Sequence, residues 1–176
     1  MIIGLTGKKR SGKDTSAQIL QEYYETQNLK VERFAFAGPL KEAVRVIFFP
    51  ELIEIKDDIK ELPVKKYDNR TPRQMFQYIG DRCRDYDIDI FLKNMLTRIN
   101  NSNADIKIVT DIRYDNEAQL VKNIGGTIIK IERETNSKDN HSSEMGIDST
   151  FIDFSIQNNS DIEKLKKKLI SFIVSK

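Results

Sequence analysis

A seven-residue turn near the start of the chain constrains its fold more than any other feature. The turn, residues 7–13, reads GKKRSGK and lies between a short apolar run and an amphipathic segment. The run at 1–6 predicts a buried strand, and apolar residues at helical spacing predict a helix over 13–27. Glycines at both ends of the turn allow the backbone N–H groups and the helix N-terminus to point at one anion. The pattern therefore predicts a phosphate-binding loop, here called the phosphate loop, with Lys13 neutralising phosphate oxygens.

Cations crowd this turn, since positions 8–10 are all basic and Lys13 follows. These positive charges repel one another unless an anion is present. The alternative interpretation, an exposed basic patch without a ligand, does not explain why the charges are so close together. The residue after Lys13 is Asp14, where the general pattern has the Ser or Thr that binds Mg²⁺, and the hydroxyl comes one position later at Thr15. Either Asp14 holds the ion, directly or through water, or Thr15 contacts a phosphate oxygen instead.

Short apolar runs and longer amphipathic segments alternate along the rest of the chain, which is typical of a parallel sheet with helices on both faces. Further strands are predicted over residues 31–37, 106–110, 127–131 and 151–156. Further helices are predicted over 38–50, 72–84, 88–99 and 114–124, and after Ser160. Residues 51–70 indicate a short helix followed by a loop. We expect a three-layer α/β/α fold around a central, mainly parallel five-stranded sheet.

An acidic and a basic residue follow the strand predicted at 106–110. They are Asp111 and Arg113, in the sequence IKIVTDIR. Open parallel sheets bind ligands at the carboxyl ends of their strands, so the Asp111 carboxylate is a candidate to hold metal-bound water. Arg113 would bring positive charge to a transferring phosphoryl group. Alternatively, Asp111 caps the next helix and Arg113 forms a surface ion pair.

Basic and amide side chains also gather in the middle of the chain. The segment TPRQ at 71–74 predicts a helix that begins with a capping box. Arg73 and Gln77 then lie four residues apart on one face of that helix. Together with Lys41 they are candidates to hold the phosphate and base of a second nucleotide. Surface ion pairs worth less than about 1 kcal/mol are the alternative reading of such a helix.

Composition excludes several other classes of protein. Lys and Arg number 29 against 27 Asp and Glu, and the sequence pI of about 8.5 is below that of a dedicated nucleic-acid binder. One Cys excludes an intramolecular disulfide and a multi-cysteine zinc cluster. The first apolar stretch is too short for a signal peptide, and no stretch reaches the roughly 18 uncharged residues of a membrane span. We expect a cytoplasmic protein that binds neither nucleic acid nor membrane, with an apolar helix at 46–49 that would suit a homodimer.

The motifs together resemble one known family. GKKRSGKDT, FAGPLKEA, TPRQMFQYIGD, TDIRYDNEA and HSSE are similar to segments of the phage-type deoxynucleoside monophosphate kinases, within the P-loop kinase superfamily. The likeness spans about residues 2–144, and it accounts for Asp14 because that family has Asp followed by Thr there. It implies transfer of the γ-phosphoryl group of ATP to a dNMP, giving dNDP and ADP with Mg²⁺. A role in supplying DNA precursors and a viral or phage-like source are the matching expectations.

The resemblance implies roles for particular residues. The ATP-binding set is Arg10, Ser11, Gly12, Lys13, Asp14 and Thr15. The acceptor-binding set is Lys9, Lys41, Arg73, Gln77 and Arg113. The catalytic set, whose two arginines clamp phosphates as a lid closes, is Lys13, Arg113 and Arg133. The Mg²⁺ candidates are Asp14 and Asp111. One P-loop kinase domain over 1–176 would have an acceptor-binding region at about 38–100 and a lid-like loop at about 133–149.

Two other functions remain open from the sequence. One is a P-loop kinase for another small phosphorylated acceptor, of the phosphomevalonate or dephospho-coenzyme A kinase type. The other is a module that binds ATP without transferring phosphate, although an arginine-rich second pocket argues against it. The chain departs from the family pattern at 79–81, which lacks a threonine, and at Phe91, where a Trp often stands. Base preference is therefore the property that the resemblance transfers least.

Overall fold

The computed structural model describes residues 1–56, 58–134 and 145–174. The strands are β1 Ile2–Thr6, β2 Val31–Phe34, β3 Ile106–Ile112, β4 Thr127–Glu132 and β5 Phe154–Gln157. The helices are α1 Lys13–Glu25, α2 Gly38–Phe48, α3 Pro72–Tyr86, α4 Ile90–Asn101, α5 Asp115–Asn123 and α6 Ile162–Val174. The strands form one sheet in the order β2-β3-β1-β4-β5, and all four neighbouring pairs are parallel. The predicted α/β fold around a parallel five-stranded sheet is confirmed.

Helices cover both faces of the sheet, and the side chains of the central strand β1 point alternately to the two faces. Ile3 and Leu5 are buried in an apolar cluster with α1 and α6. Gly4 faces the other way, and a Cβ built on it would lie 3.3 Å from Cγ1 of Val121 on α5. The central strand is therefore enclosed from both sides, as its uninterrupted apolar sequence predicts. In the described residues, every helix is too short or too polar to traverse a bilayer.

The chain divides into two compact units. The first unit comprises Met1–Phe36 and Asn94–Lys176 and contains the whole sheet with α1, α5 and α6. The second unit, Ala37–Lys93, contains α2 and α3, which pack against each other. Their close approach depends on Gly80, where an added Cβ would lie 3.1 Å from Cδ2 of Leu40. The expected division into a kinase domain with an acceptor-binding region stays a prediction.

Several elements differ from the sequence prediction, and β2, for example, ends at Phe34 rather than at 37. β5 begins at Phe154 rather than at 151, because Ser149–Phe151 form a 3₁₀ turn in which the Asp148 carboxylate accepts hydrogen bonds from the N–H and the hydroxyl of Thr150. β3 continues through Ile112, so Asp111 lies inside the strand rather than after it. Between 51 and 70, of which all but 57 is described, the chain forms turns and the 3₁₀ turn Lys65–Tyr67 rather than a short α-helix.

The segment expected to suit a homodimer contact is exposed only in part. Val46 and Ile47 on α2 are 52% and 67% exposed, whereas Phe49 is buried. A homodimer stays a prediction.

The predicted capping box of α3 is confirmed, and two glycines end α5. At the start of α3, the Gln74 N–H donates to Thr71 Oγ1 at 3.2 Å and the Thr71 N–H donates to Gln74 Oε1 at 2.9 Å. After α5, Gly125 adopts φ +76° and its N–H donates to the Lys122 carbonyl at 3.0 Å. The Gly126 N–H donates to the Val121 carbonyl at 2.8 Å, so both glycines satisfy carbonyls at the helix end.

The two glycines after α5 should differ in their tolerance of alanine. A Cβ on Gly126 would lie 2.5 Å from Val121 Cγ1 and 2.7 Å from its backbone oxygen, whereas nothing lies within 4 Å of one on Gly125. We expect Gly126→Ala to lower the free energy of unfolding by about 3 kcal/mol through overpacking. Gly125→Ala should cost only about 1 kcal/mol of left-handed backbone strain. Urea denaturation of both variants measures the difference, and equal losses would contradict the steric account.

Candidate active site

The phosphate loop has a backbone that only glycine suits at two positions. Gly7 and Gly12 adopt φ +143° and +102°, and Arg10 between them adopts +62°. A Cβ on Gly7 would lie 2.3 Å from the carbonyl oxygen of Ile131, and one on Gly12 would lie 2.3 Å from Nδ2 of Asn158. Both positions therefore require glycine for two reasons: a Cβ would clash with neighbouring atoms, and φ is positive. The missing Cβ atoms therefore let the loop backbone pack directly against the end of β4 and against the side chain of Asn158.

Lys13 is the first residue of α1 and is 9% exposed. Its Nζ donates to the carbonyl oxygens of Gly7 at 2.6 Å and Lys8 at 2.8 Å. The lysine therefore folds back over the start of the loop instead of extending into solvent. A largely buried ammonium group beside the N-terminus of a 13-residue helix makes this turn a site for an anion.

The residues that flank Lys13 are more accessible. Asp14 and Thr15 are exposed in the first turn of α1. Arg10 is exposed and Lys9 is half-buried. Ser11 is buried, and its N–H donates to the Lys8 carbonyl at 3.1 Å, which closes the turn. The predicted ATP-binding residues are thus gathered in one turn and one helix start.

Asp111 is buried within β3 and connects the carboxyl ends of two strands. Its Oδ1 accepts a hydrogen bond at 2.7 Å from the N–H of Phe36, which follows β2. The carboxylate therefore has a structural partner in addition to the role predicted for it. An acidic group at this edge of the sheet remains suited to a metal ion or its water ligands.

Arg113 lies beside the phosphate loop. It lines a cavity of about 100 Å³ whose other walls include Gly7, Lys8 and Lys130. Its backbone N–H donates at 2.9 Å to the carboxylate of Glu117, which is 2% exposed. A buried carboxylate at the start of α5 thus fixes the backbone that carries Arg113. The structure brings this predicted residue together with the loop.

Arg133 is exposed at the end of β4, in a hollow of about 590 Å³. Lys8 and Lys130 line the same hollow, and Lys130 pairs with Glu132 at 2.7 Å. Three basic side chains therefore line this hollow together with the carboxylates of Glu132 and Glu134. Most of the predicted lid, together with His141, falls in 135–144, outside the described residues.

The predicted acceptor residues Lys41, Arg73 and Gln77 belong to the second unit. Arg73 on α3 forms an ion pair with Glu61, with Nε 2.6 Å from Oε1 and side chains 23% and 43% exposed. Gln77 follows one turn later and is half-buried, and Lys41 is exposed on α2. Arg73 therefore forms a surface ion pair of the kind given as the alternative, with a partner outside the helix, and its acceptor role stays a prediction.

Two further residues of the first unit were missed by sequence reasoning. Glu117 was not considered, although an acidic residue in the first turn of a helix is a standard capping signal. Asn158 directly follows β5, and its Nδ2 donates to the Ser11 carbonyl of the phosphate loop at 2.8 Å. The signal for Asn158 was its position at the carboxyl end of a strand, where the edge of a parallel sheet binds ligands.

The donor set fits Mg²⁺. Among residues 1–56, 58–134 and 145–174, no three His, Cys, Asp or Glu side chains are grouped to hold a metal ion. Mg²⁺ in phosphoryl-transfer sites is held by one or two carboxylates together with substrate phosphates rather than by an all-protein cage. Asp14 and Asp111 are oxygen donors of that kind, so the residues present suit a metal ion that arrives with its nucleotide.

The fold resembles that of a kinase of known structure. A solved structure of shikimate kinase from Acinetobacter baumannii superposes with a TM-score of 0.53 at 11% identity, covering 99% of this chain and 93% of that one. The likeness shows a shared fold, and the glycine-bounded turn with its lysine has the phosphate-loop pattern.

The sequence then gives the family. A family model for deoxynucleotide monophosphate kinase matches residues 1–68 and 51–169. A protein of Acanthamoeba polyphaga mimivirus that carries this name provisionally is 35% identical, over 98% of this chain and 96% of its own length. The deoxynucleotide monophosphate kinase of Enterobacteria phage T4 is 27% identical, and the match covers 77% of this chain and 56% of the phage protein. The chain belongs to the deoxynucleotide monophosphate kinase family, as the motifs predict.

The loop should bind inorganic tripolyphosphate through Lys13. At a hundredfold excess over Kd, such binding raises Tm by about 5–10 °C in a domain of this size. We expect Lys13→Met to abolish this shift because it removes the ammonium group. Lys166→Met, at an exposed position of α6, is the matched control and should keep the shift. Differential scanning fluorimetry measures both, and an equal shift in the Lys13 variant would contradict the anion site.

Proposed function

We propose that this protein transfers the γ-phosphoryl group of ATP to a deoxynucleoside monophosphate, giving ADP and dNDP. One observation carries the proposal: Lys13 is turned back over the loop of residues 7–13 and donates to the carbonyls of Gly7 and Lys8, which suits the loop to phosphate. Membership of the deoxynucleotide monophosphate kinase family supports the acceptor class. The phosphate loop and the arginines beside it support the reaction type.

ATP would bind through its phosphates at the phosphate loop and the start of α1. The backbone N–H groups of Gly12 to Thr15 and the ammonium group of Lys13 would contact phosphate oxygens, with Arg10 at the rim. Asp14 and Asp111 would hold Mg²⁺, which when bound neutralises negative charge on the phosphates. The Asp111 carboxylate is already held in place by the Phe36 N–H, so little reorganisation is needed.

Charge and alignment would account for most of the rate. In phosphoryl transfer the negative charge spreads over the equatorial oxygens of the moving group, and catalysis consists of positioning and electrostatic stabilisation. Lys13 would neutralise that charge from the loop. Arg113, held through Glu117 beside the loop, and Arg133 at the end of β4 would add charge from other directions. No general acid or base is required, so His141 needs no role.

The second unit would contribute Arg73, Gln77 and Lys41 to binding the acceptor. Arg73 is pre-oriented because Nε is paired with Glu61 at 2.6 Å. A guanidinium has five N–H donors in a planar fork, so an arginine fixed by one partner can still bind phosphate. Gln77, one turn along the same helix, would contact the base, and Lys41 would add positive charge. These roles remain part of the proposal.

A coupled ADP-release assay tests the reaction directly. With Mg²⁺ and ATP, we expect turnover with at least one of dAMP, dGMP, dCMP and dTMP, and a loss of at least about a hundredfold in Lys13→Met. GMP in the same series tests discrimination against ribonucleotides. Tripolyphosphate binding without turnover of any dNMP would overturn the proposal, and would leave another phosphorylated acceptor or a non-catalytic module.

Arg73 and Arg82 form a matched pair for testing the acceptor site. Both lie on α3, but Arg82 is 64% exposed and pairs with Asp85 at 3.0 Å within the same helix. We expect Arg73→Ala to raise KM for the dNMP about tenfold, because it removes a charge-assisted hydrogen bond to phosphate, with KM for ATP unchanged. Arg82→Ala should leave both constants unchanged. Steady-state kinetics that show equal effects of the two variants would remove Arg73 from the acceptor site.

A further inference from the structure

Asn158 connects the last strand of the sheet to the phosphate loop. It directly follows β5 and is 6% exposed. Its backbone N–H donates to the Glu132 carbonyl at the end of β4 at 2.7 Å. Its side-chain Nδ2 donates to the Ser11 carbonyl at 2.8 Å. The backbone of Asn158 is therefore fixed by its bond to the end of β4. Its buried side-chain amide donates a hydrogen bond to the backbone of the phosphate loop.

The geometry of a peptide unit makes this contact more than a packing detail. In a planar trans peptide, the C=O of one residue and the N–H of the next point in opposite directions. When Asn158 holds the Ser11 carbonyl, it turns the Gly12 N–H the opposite way. Gly12 has φ +102°, and glycine adopts positive and negative φ about equally readily. The Ser11–Gly12 peptide plane therefore needs a partner outside the loop to fix its orientation.

A steric contact independently places Asn158 against the loop. A Cβ on Gly12 would lie 2.3 Å from Nδ2 of Asn158 and 3.5 Å from its Cγ. The amide therefore occupies the space that any larger residue at position 12 would need. Lys13 holds the other part of the loop, through the carbonyls of Gly7 and Lys8. The two halves of the loop thus have separate supports.

We infer that Asn158 is a positioning residue that presets the Gly12 N–H for the polyphosphate of a nucleoside triphosphate. It acts through the Ser11–Gly12 peptide and does not itself contact the phosphate. The inference rests on the proposed function for the identity of the nucleotide. The preset N–H group binds oxyanions without reorganisation, so its loss weakens polyphosphate binding and leaves acceptor binding unchanged.

Asn158→Leu tests this role because leucine has nearly the same shape and no donor. We expect affinity for inorganic tripolyphosphate and for ATP to fall by the same factor, about tenfold, in isothermal titration. KM for the dNMP should remain within twofold of wild type. Tm without ligand should change by no more than a few degrees, since Asn158 keeps its backbone bond to Glu132. Asn159→Leu, at the exposed neighbouring position, is the matched control and should bind tripolyphosphate as wild type does.

Asn158→Ala gives a second variant that removes the donor without a bulky side chain, in case leucine prevents folding. A folded Asn158 variant that binds tripolyphosphate within twofold of wild type would overturn the inference. So would an equal loss in Asn159→Leu, since the effect would then belong to the turn as a whole. If the wild type binds tripolyphosphate but phosphorylates no dNMP, the proposed function fails and the positioning role of Asn158 stands.

Discussion

The ammonium group of Lys13 is the constraint on which the phosphate loop depends. Burying a charge is costly unless partners surround it, and here the carbonyls of Gly7 and Lys8 supply them at 2.6 and 2.8 Å. Those carbonyls face the lysine only when the backbone curls at Gly7, with φ +143°. That curl is possible because no Cβ meets the Ile131 carbonyl of β4. The buried charge of Lys13 and the conformation of the turn therefore depend on each other.

Every strand of the sheet contributes to this edge through the residues at or after its carboxyl end. The loop itself follows β1, and the N–H of Phe36 after β2 is bound by Asp111 near the end of β3. Arg133 follows β4, and Asn158 follows β5. Parallel pairing makes this convergence unavoidable, because it brings all carboxyl ends to the same side. The helices on the two faces supply burial, and the strand ends supply the chemistry.

Local signals allowed much of this structure to be predicted from the sequence. The loop, the capping box at Thr71 and the glycine stop after α5 depend on residues within a few positions of one another, so the sequence displays them directly. The bond from Asn158 to Ser11 joins residues 147 apart, and that from Phe36 to Asp111 joins residues 75 apart. Neither has a local pattern. Twelve residues separate Arg73 from Glu61, which no helical spacing indicates.

The link between Asn158 and Ser11 also has a consequence for the order of events during synthesis. Residues 7–13 leave the ribosome before the strands that flank β1, which are β3 and β4, and the amide that holds the Ser11 carbonyl is translated later still. Chains fold as their segments emerge, and long-range parallel pairing is slow. The phosphate loop therefore reaches its final conformation only after β5 and Asn158 have been made. A nascent chain released before β5 carries the complete loop sequence without the support that shapes it.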